Sequence, residues 1–201
     1  MPQPPMTKQP TARPTSQPIA QPIQPTMQSI AQPMTHPHAM RKYYLLISMA
    51  VIVLDRVTKL WVEGSIRLHD SIRIIPGFFS FTHIENRGAA FGIFNDSPAP
   101  WKVGMLVAFS LLALVIVSRL LWKNSNSISS TGVGLALILG GAIGNLWDRV
   151  AAGHVTDFLL FYIGTHEWPA FNVADSSIVV GAGLLVLEIL FAKAPMEERV
   201  R

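Results

Sequence analysis

Four stretches of roughly 20 mostly apolar residues, 43–62, 103–122, 132–150 and 174–191, constrain this chain more than any other feature. Such a stretch spans a ~30 Å hydrocarbon core when helical, and lipid obliges the backbone to satisfy its own N–H and C=O groups. The expected fold class is therefore all-α membrane, with four transmembrane helices. Trp61, Trp101, Trp122, Trp147 and Trp168 fall at or near the ends of these spans, where amphipathic rings favour the water–lipid boundary. An even number of crossings puts both termini on one side. Arg41, Lys42, Arg119, Lys123, Lys193, Arg199 and Arg201 make that side the cytoplasm by the positive-inside rule. The first connection pulls the other way, with Arg67, Arg73, Arg87 and Lys102 set against four acids.

That connection carries its own signal. Ser71–Ile75 and 79–84 are rich in β-branched and aromatic residues, with Pro76-Gly77 between them, which predicts a hairpin. A small extracytoplasmic β-element is thus expected between helices 1 and 2, across 69–96. Residues 88–94, short and apolar, are expected to lie over the neighbouring site as a lid. Residues 1–40 hold ten of the fifteen prolines and seven glutamines without a periodic apolar face; that composition predicts a disordered tail. The membrane domain is expected over 41–193, and a cytoplasmic tail over 194–201. The absence of cysteine excludes disulfides, thiolate metal sites and cysteine nucleophiles. The net charge of +4 includes no dense basic run, so nothing points to nucleic acid.

Charged residues within spans carry the functional signal. An ionisable group near hydrocarbon costs about 2.5–3.5 kcal/mol on insertion scales and persists where it pairs, faces protein or does chemistry. Asp55 and Lys59 are i,i+4 neighbours that can neutralise each other. Gly132, Ala136, Gly140 and Gly144 form a small-residue stripe for close helix contact, and Asp148 continues it into the bundle. Asp157 and Asp175 bracket the start of the last span. Two carboxylates sharing a desolvated site cannot both ionise easily, so one keeps a proton while the other acts as base toward water, which is aspartic peptidase chemistry. Two separately solvated interfacial acids are the plainer alternative. Asp148 is the rival for one catalytic role, and amide and cationic partners would give it a structural one instead. A metallopeptidase lacks its His-Glu-x-x-His helix. A proton-coupled transporter would need acids at mid-bilayer and an internal repeat.

Five ordered motifs then point to a family: Leu54-Asp55-Arg56-Val57-Thr58-Lys59, Asn86-Arg87-Gly88-Ala89-Ala90-Phe91, 140–149 with its Gly144-Asn145-Leu146-Trp147-Asp148-Arg149, Val155-Thr156-Asp157-Phe158 and Phe171-Asn172-Val173-Ala174-Asp175. Over about 41–191 the chain resembles lipoprotein signal peptidase, or signal peptidase II. The resemblance implies an inner-membrane aspartic endopeptidase with its site at the periplasmic face. It would cleave prolipoprotein signal peptides on the amino side of a diacylglyceryl-modified cysteine, without cofactor or metal. Asp157 and Asp175 would be the catalytic pair. Asn86, Gly88, Asn145, Arg149 and Asn172 would bind substrate, and Asp55, Lys59 and Asp148 would support the site. Its partners would be the lipidated precursor and membrane lipid, and the chain would be a monomer. Arg56 stands where the family often has glutamine, and Thr156 where valine is usual.

Overall fold

The computed structural model describes residues 40–88 and 100–191. The two tails and the lid segment beyond Gly88 lie outside the described residues. Four long helices dominate: α1 (Arg41–Ser65), α2 (Pro100–Lys123), α3 (Ser130–Ala151) and α4 (Val173–Phe191). By length and composition, α2, α3 and α4 are able to cross a membrane. α1 is long enough, about 37 Å at 1.5 Å per residue, but Asp55, Arg56, Lys59 and Glu63 interrupt its apolar sequence. The expectation of four apolar spans therefore holds for three, with a charged helix as the fourth element.

α3 is the central helix and packs against each of the others. Its small residues permit this. A Cβ at Gly140 would lie 2.7 Å from the Ser48 carbonyl oxygen of α1, and one at Gly144 would lie 2.7 Å from Asp55 Oδ2. A second stripe, absent from the sequence reading, turns toward α4: Gly134 meets the Gly181 backbone, and Gly141 meets Ala174. At the other end of α1, the Tyr44 hydroxyl donates to the Ser127 carbonyl (2.7 Å) and accepts from the Ser129 N–H (3.0 Å). That clasp ties α1 to the turn leading into α3.

The β-element is larger than expected. β1 (Ser71–Ile75) and β2 (Phe79–Asn86) form the predicted hairpin, and the sheet continues antiparallel into β3 (Val155–Ile163) and β4 (His166–Glu167). Half of the sheet thus comes from the connection between α3 and α4, which corrects its placement between helices 1 and 2 alone. Residues 155–163, Val-Thr-Asp-Phe-Leu-Leu-Phe-Tyr-Ile, have strand composition, and the edge of β2 supplies the partner. The sheet rests on the end of α1 through buried Val62, Ile66 and Phe158, with Phe81, Leu159 and Val173 packed against them. Trp61 meets Phe81 edge-on at 5.4 Å, and Phe161 stacks on Phe171 at 5.8 Å. These ring contacts fix β3, and with it Asp157, relative to the helices.

The packing predicts a contrast between two glycines. Gly140→Ala forces a methyl group against backbone that cannot yield and should destabilise by about 1–3 kcal/mol, the usual cost of overpacking. Gly104→Ala in α2 meets open space and should be neutral or mildly stabilising, as Ala is the better helix former. Thermal unfolding of the two variants in detergent measures the difference, and equal midpoints would contradict the close α1–α3 contact.

Candidate active site

A buried lysine organises the site. Lys59, fully buried on α1, places Nζ 2.8 Å from Asp55 Oδ2, 3.1 Å from Asn145 Oδ1 and 2.6 Å from Asp148 Oδ2. The ammonium donates hydrogen bonds to Asp55 and Asn145, and it meets Asp148 Oδ2 as an ion pair. Asp55 uses its second oxygen on α4, accepting from the Ala174 N–H at 2.9 Å. The first N–H groups of a helix lack intrahelical partners, and here a carboxylate of another helix meets one of them. Asp148 also receives Arg56 Nη1 at 3.4 Å.

The start of α4 is built as a reciprocal cap. Asn172 Oδ1 accepts from the Asp175 N–H at 2.9 Å, and Asp175 Oδ2 accepts from the Asn172 N–H at 3.3 Å. This is a capping box with asparagine at the cap and aspartate three residues on. Asn145 of α3 donates to the other Asp175 oxygen at 2.7 Å. The positive end of the α4 dipole lies beside this carboxylate and stabilises negative charge there.

Asp157 reaches the same asparagine from the sheet. Its Oδ1 accepts from Asn172 Nδ2 at 2.7 Å, and its Oδ2 from Asn86 Nδ2 at 2.9 Å. Asn86 Oδ1 in turn accepts from the Gly88 N–H at 2.9 Å. Asn172, fully buried, therefore joins both carboxylates: its amide group donates to Asp157 and accepts from the backbone of Asp175. Asp157 is only 3% exposed. Burial, and next the charge of Asp175, push its pKa up to about 7, against the opposing pull of Asn86, Asn172 and Lys59.

Arg149 approaches from the end of α3. Nη1 donates to the Asn145 carbonyl (3.2 Å) and Nη2 to the Gly88 carbonyl (3.4 Å), while Nε is buried without a hydrogen-bond partner among the described residues. Its charge attracts Asp175, Asp157 and Asp148. Formal charge gives a constraint independent of any single pKa. Four carboxylates (Asp55, Asp148, Asp157, Asp175) meet three cations (Arg56, Lys59, Arg149), so one proton on the Asp157–Asp175 pair brings the assembly to neutrality.

All ten residues singled out from sequence lie in this network. Asn86 both holds Asp157 and closes a local turn onto the Gly88 N–H. Asp148 faces Lys59 and Arg56. Two contacts had no signature in the sequence: the Asp55 cap on α4, and a hydrogen bond from Thr156 Oγ1 to Glu63 Oε1 at 2.8 Å that fastens β3 to α1. Among the described residues, no group of three or more His, Cys, Asp or Glu side chains could hold a metal ion.

Helices of membrane-spanning length that close over paired carboxylates define a membrane hydrolase of the aspartic type. The family model described as Signal peptidase (SPase) II matches residues 47–191, and the chain belongs to that family. A lipoprotein signal peptidase of Solibacter usitatus is 44% identical, over 73% of this chain and 90% of its own. Those of Maridesulfovibrio salexigens and Desulforapulum autotrophicum are 43% and 46% identical, over 74% and 75% of this chain and 96% and 93% of theirs. A bacterial membrane enzyme solved by the in meso method at 2.3 Å resolution superposes with a TM-score of 0.70 at 30% identity, covering 79% of this chain and 93% of its own. A second, at 1.9 Å, gives 0.66 at 31%, covering 75% and 94%.

Two predictions follow from the electrostatics. Lys59→Met strands Asp55 and Asp148 and should cost about 3–5 kcal/mol, the range for breaking a buried ion pair from one side. Adding Asp148→Asn should recover part of the loss in a denaturant titration. The raised pKa of Asp157 means that the folded state holds this proton more tightly than the unfolded chain does. Its contribution is full below the ordinary aspartate value of 3.8 and is lost as pH rises through about 7. Asp157→Asn should therefore flatten the pH dependence of stability across that window, and an unchanged slope would count against a buried proton.

Proposed function

We propose that Asp157 and Asp175 are the catalytic pair of a membrane aspartic endopeptidase that removes the signal peptide of a diacylglyceryl-modified prolipoprotein on the amino side of its lipidated cysteine. The observation that carries this reading is Asn172, which holds one carboxylate with its amide N–H and orders the other through a reciprocal cap. Asp175, at the positive end of α4, is the ionised member and takes a proton from water. Asp157 holds the shared proton and donates to the scissile carbonyl oxygen, stabilising the charge that develops as water adds. Asp175 then passes the proton it took from water to the departing amine as the C–N bond breaks, and Asp157 recovers its proton from a hydroxyl of the tetrahedral intermediate as the carbonyl re-forms, so the pair returns to its starting state. Asn86, Gly88, Asn145, Arg149 and Asn172 line the substrate path, and Arg149 Nε, without a hydrogen-bond partner among the described residues, is a donor that a peptide carbonyl would satisfy. Asp55, Lys59 and Asp148 hold the helices beneath. No cofactor enters the scheme.

The reading includes a fourth crossing. α1 turns Asp55 and Lys59 inward while Leu46, Met49, Val53, Val57 and Leu60 stay about half exposed, as a lipid-facing surface would. Both termini then lie in the cytoplasm, and the site opens at the periplasmic face of the inner membrane. Residues 41–193 form the peptidase domain of a monomer, with 1–40 and 194–201 as tails.

Asp157→Asn and Asp175→Asn should each lower cleavage of a lipidated precursor by at least about 10³-fold, because removing one member of a catalytic unit removes most of its rate enhancement. In the wild type, kcat/KM should fall as pH rises above about 7, because the protonated acid is then lost. Normal processing by either variant would remove that residue from the mechanism.

A further inference from the structure

Arg56 is only partly absorbed by the network beneath the site. Met49, Val53, Arg56 and Leu60 follow one another at three- and four-residue steps and so share one stripe of α1. The three apolar members are 57%, 52% and 49% exposed. The Arg56 side chain, 42% exposed, reaches Asp148 Oδ1 at 3.4 Å, while Asp148 itself is 5% exposed and already lies 2.6 Å from Lys59. A guanidinium carries five N–H donors in a planar fork. Asp148 is the only acceptor it meets among the described residues, through Nη1 alone, and the partly exposed side chain leaves its other donors to be met beside an apolar surface. Charged donors left bare at such a surface are costly in lipid.

Depth identifies what meets them. Asp55, one residue earlier, binds the N–H of Ala174 in the first turn of α4. Arg56 therefore lies level with the outer end of a membrane-length helix, where acyl chains give way to headgroups, and a long side chain can extend further toward that boundary. The acceptor abundant there is phosphate, whose oxygens match a guanidinium in bidentate fashion. The geometry points to Arg56 as a binding site for the phosphate of an outer-leaflet phospholipid, with one acyl chain lying along Val53 and Met49. This rests on α1 crossing the membrane as proposed above, and it is independent of the catalytic assignment.

The test reads lipid rather than cleavage. Full-length protein in nonionic detergent is titrated with dioleoylphosphatidylglycerol, with dioleoylglycerol, which has ester carbonyls and no phosphate, and with inorganic phosphate. Unfolding temperature and lipid retained in native mass spectra are followed. The phospholipid should raise the wild-type midpoint by several degrees and remain bound at about one copy, while the other two additions leave it unchanged. Arg56→Gln should lose at least about two-thirds of that shift. A full shift in Arg56→Gln overturns the site. If that variant does not fold, the wild type decides alone: equal shifts from phospholipid and dioleoylglycerol overturn a phosphate site, and a shift from inorganic phosphate overturns a lipid one. Asp157→Asn should respond as the wild type does, so the lipid site and the peptidase mechanism fail separately.

Discussion

A buried ammonium must be met by oxygens of opposite or partial negative charge, and that demand on Lys59 determines much of this structure. Its three oxygens come from Asp55 on its own helix and from Asn145 and Asp148 on α3, so α1 and α3 are held in one register. The demand then propagates. Asp55 is tied to Lys59 by one oxygen and caps α4 with the other. Asn145 accepts from Lys59 through its carbonyl oxygen and donates to Asp175 through its nitrogen. One cation thus positions the first turn of α4 along two routes, and that turn carries Asp175.

Close helix approach makes this possible. Gly144 lies against Asp55 Oδ2, where a side chain would collide, and Gly141 does the same for the backbone at Ala174. The glycines bring α1, α3 and α4 near enough for side chains as short as Asp and Asn to reach across two helices. A polar network of this kind is unfavourable when partly satisfied and rigid when complete. The pairing also explains how α1 carries four charges within its second half: the two deepest, Asp55 and Lys59, face protein rather than lipid.

Local features of the sequence were readable because their causes are local. The apolar spans, the 71–84 hairpin, the Asp55–Lys59 pair and the stripe through Gly140 and Gly144 each arise from spacing along one segment. The features that escaped depend on partners far away in the chain. β3 became a strand because β2 offers it an edge more than seventy residues earlier, as in the Glu85–Thr156 register. The Asp55 cap joins residues 119 positions apart, and the Gly134–Gly181 contact needs a second helix to give it meaning. For the site, residue identities came from ordered motifs, while the connections among them required coordinates. Asn172 was legible as an amide near Asp175, but its simultaneous hold on Asp157 was not.

Two aspartates of the same chemical kind acquire different roles here because they arrive on different elements. Asp175 sits in a helix cap, where backbone N–H groups and the helix dipole favour an anion. Asp157 comes from a strand, and its burial and the Asp175 charge beside it favour the protonated form, outweighing the Asn86 and Asn172 amides that favour the charged one. The two carboxylates thus sit in unlike surroundings. The surrounding charges bear on the pair as a whole: three cations meet four carboxylates, and one proton on the pair balances them. Because Arg149 and Lys59 act on both aspartates through space while Asn172 touches both directly, the state of the pair belongs to the whole assembly rather than to either residue. The protonation of the site is therefore a consequence of how α1, α3 and α4 pack, set by the same contacts that hold the helices together.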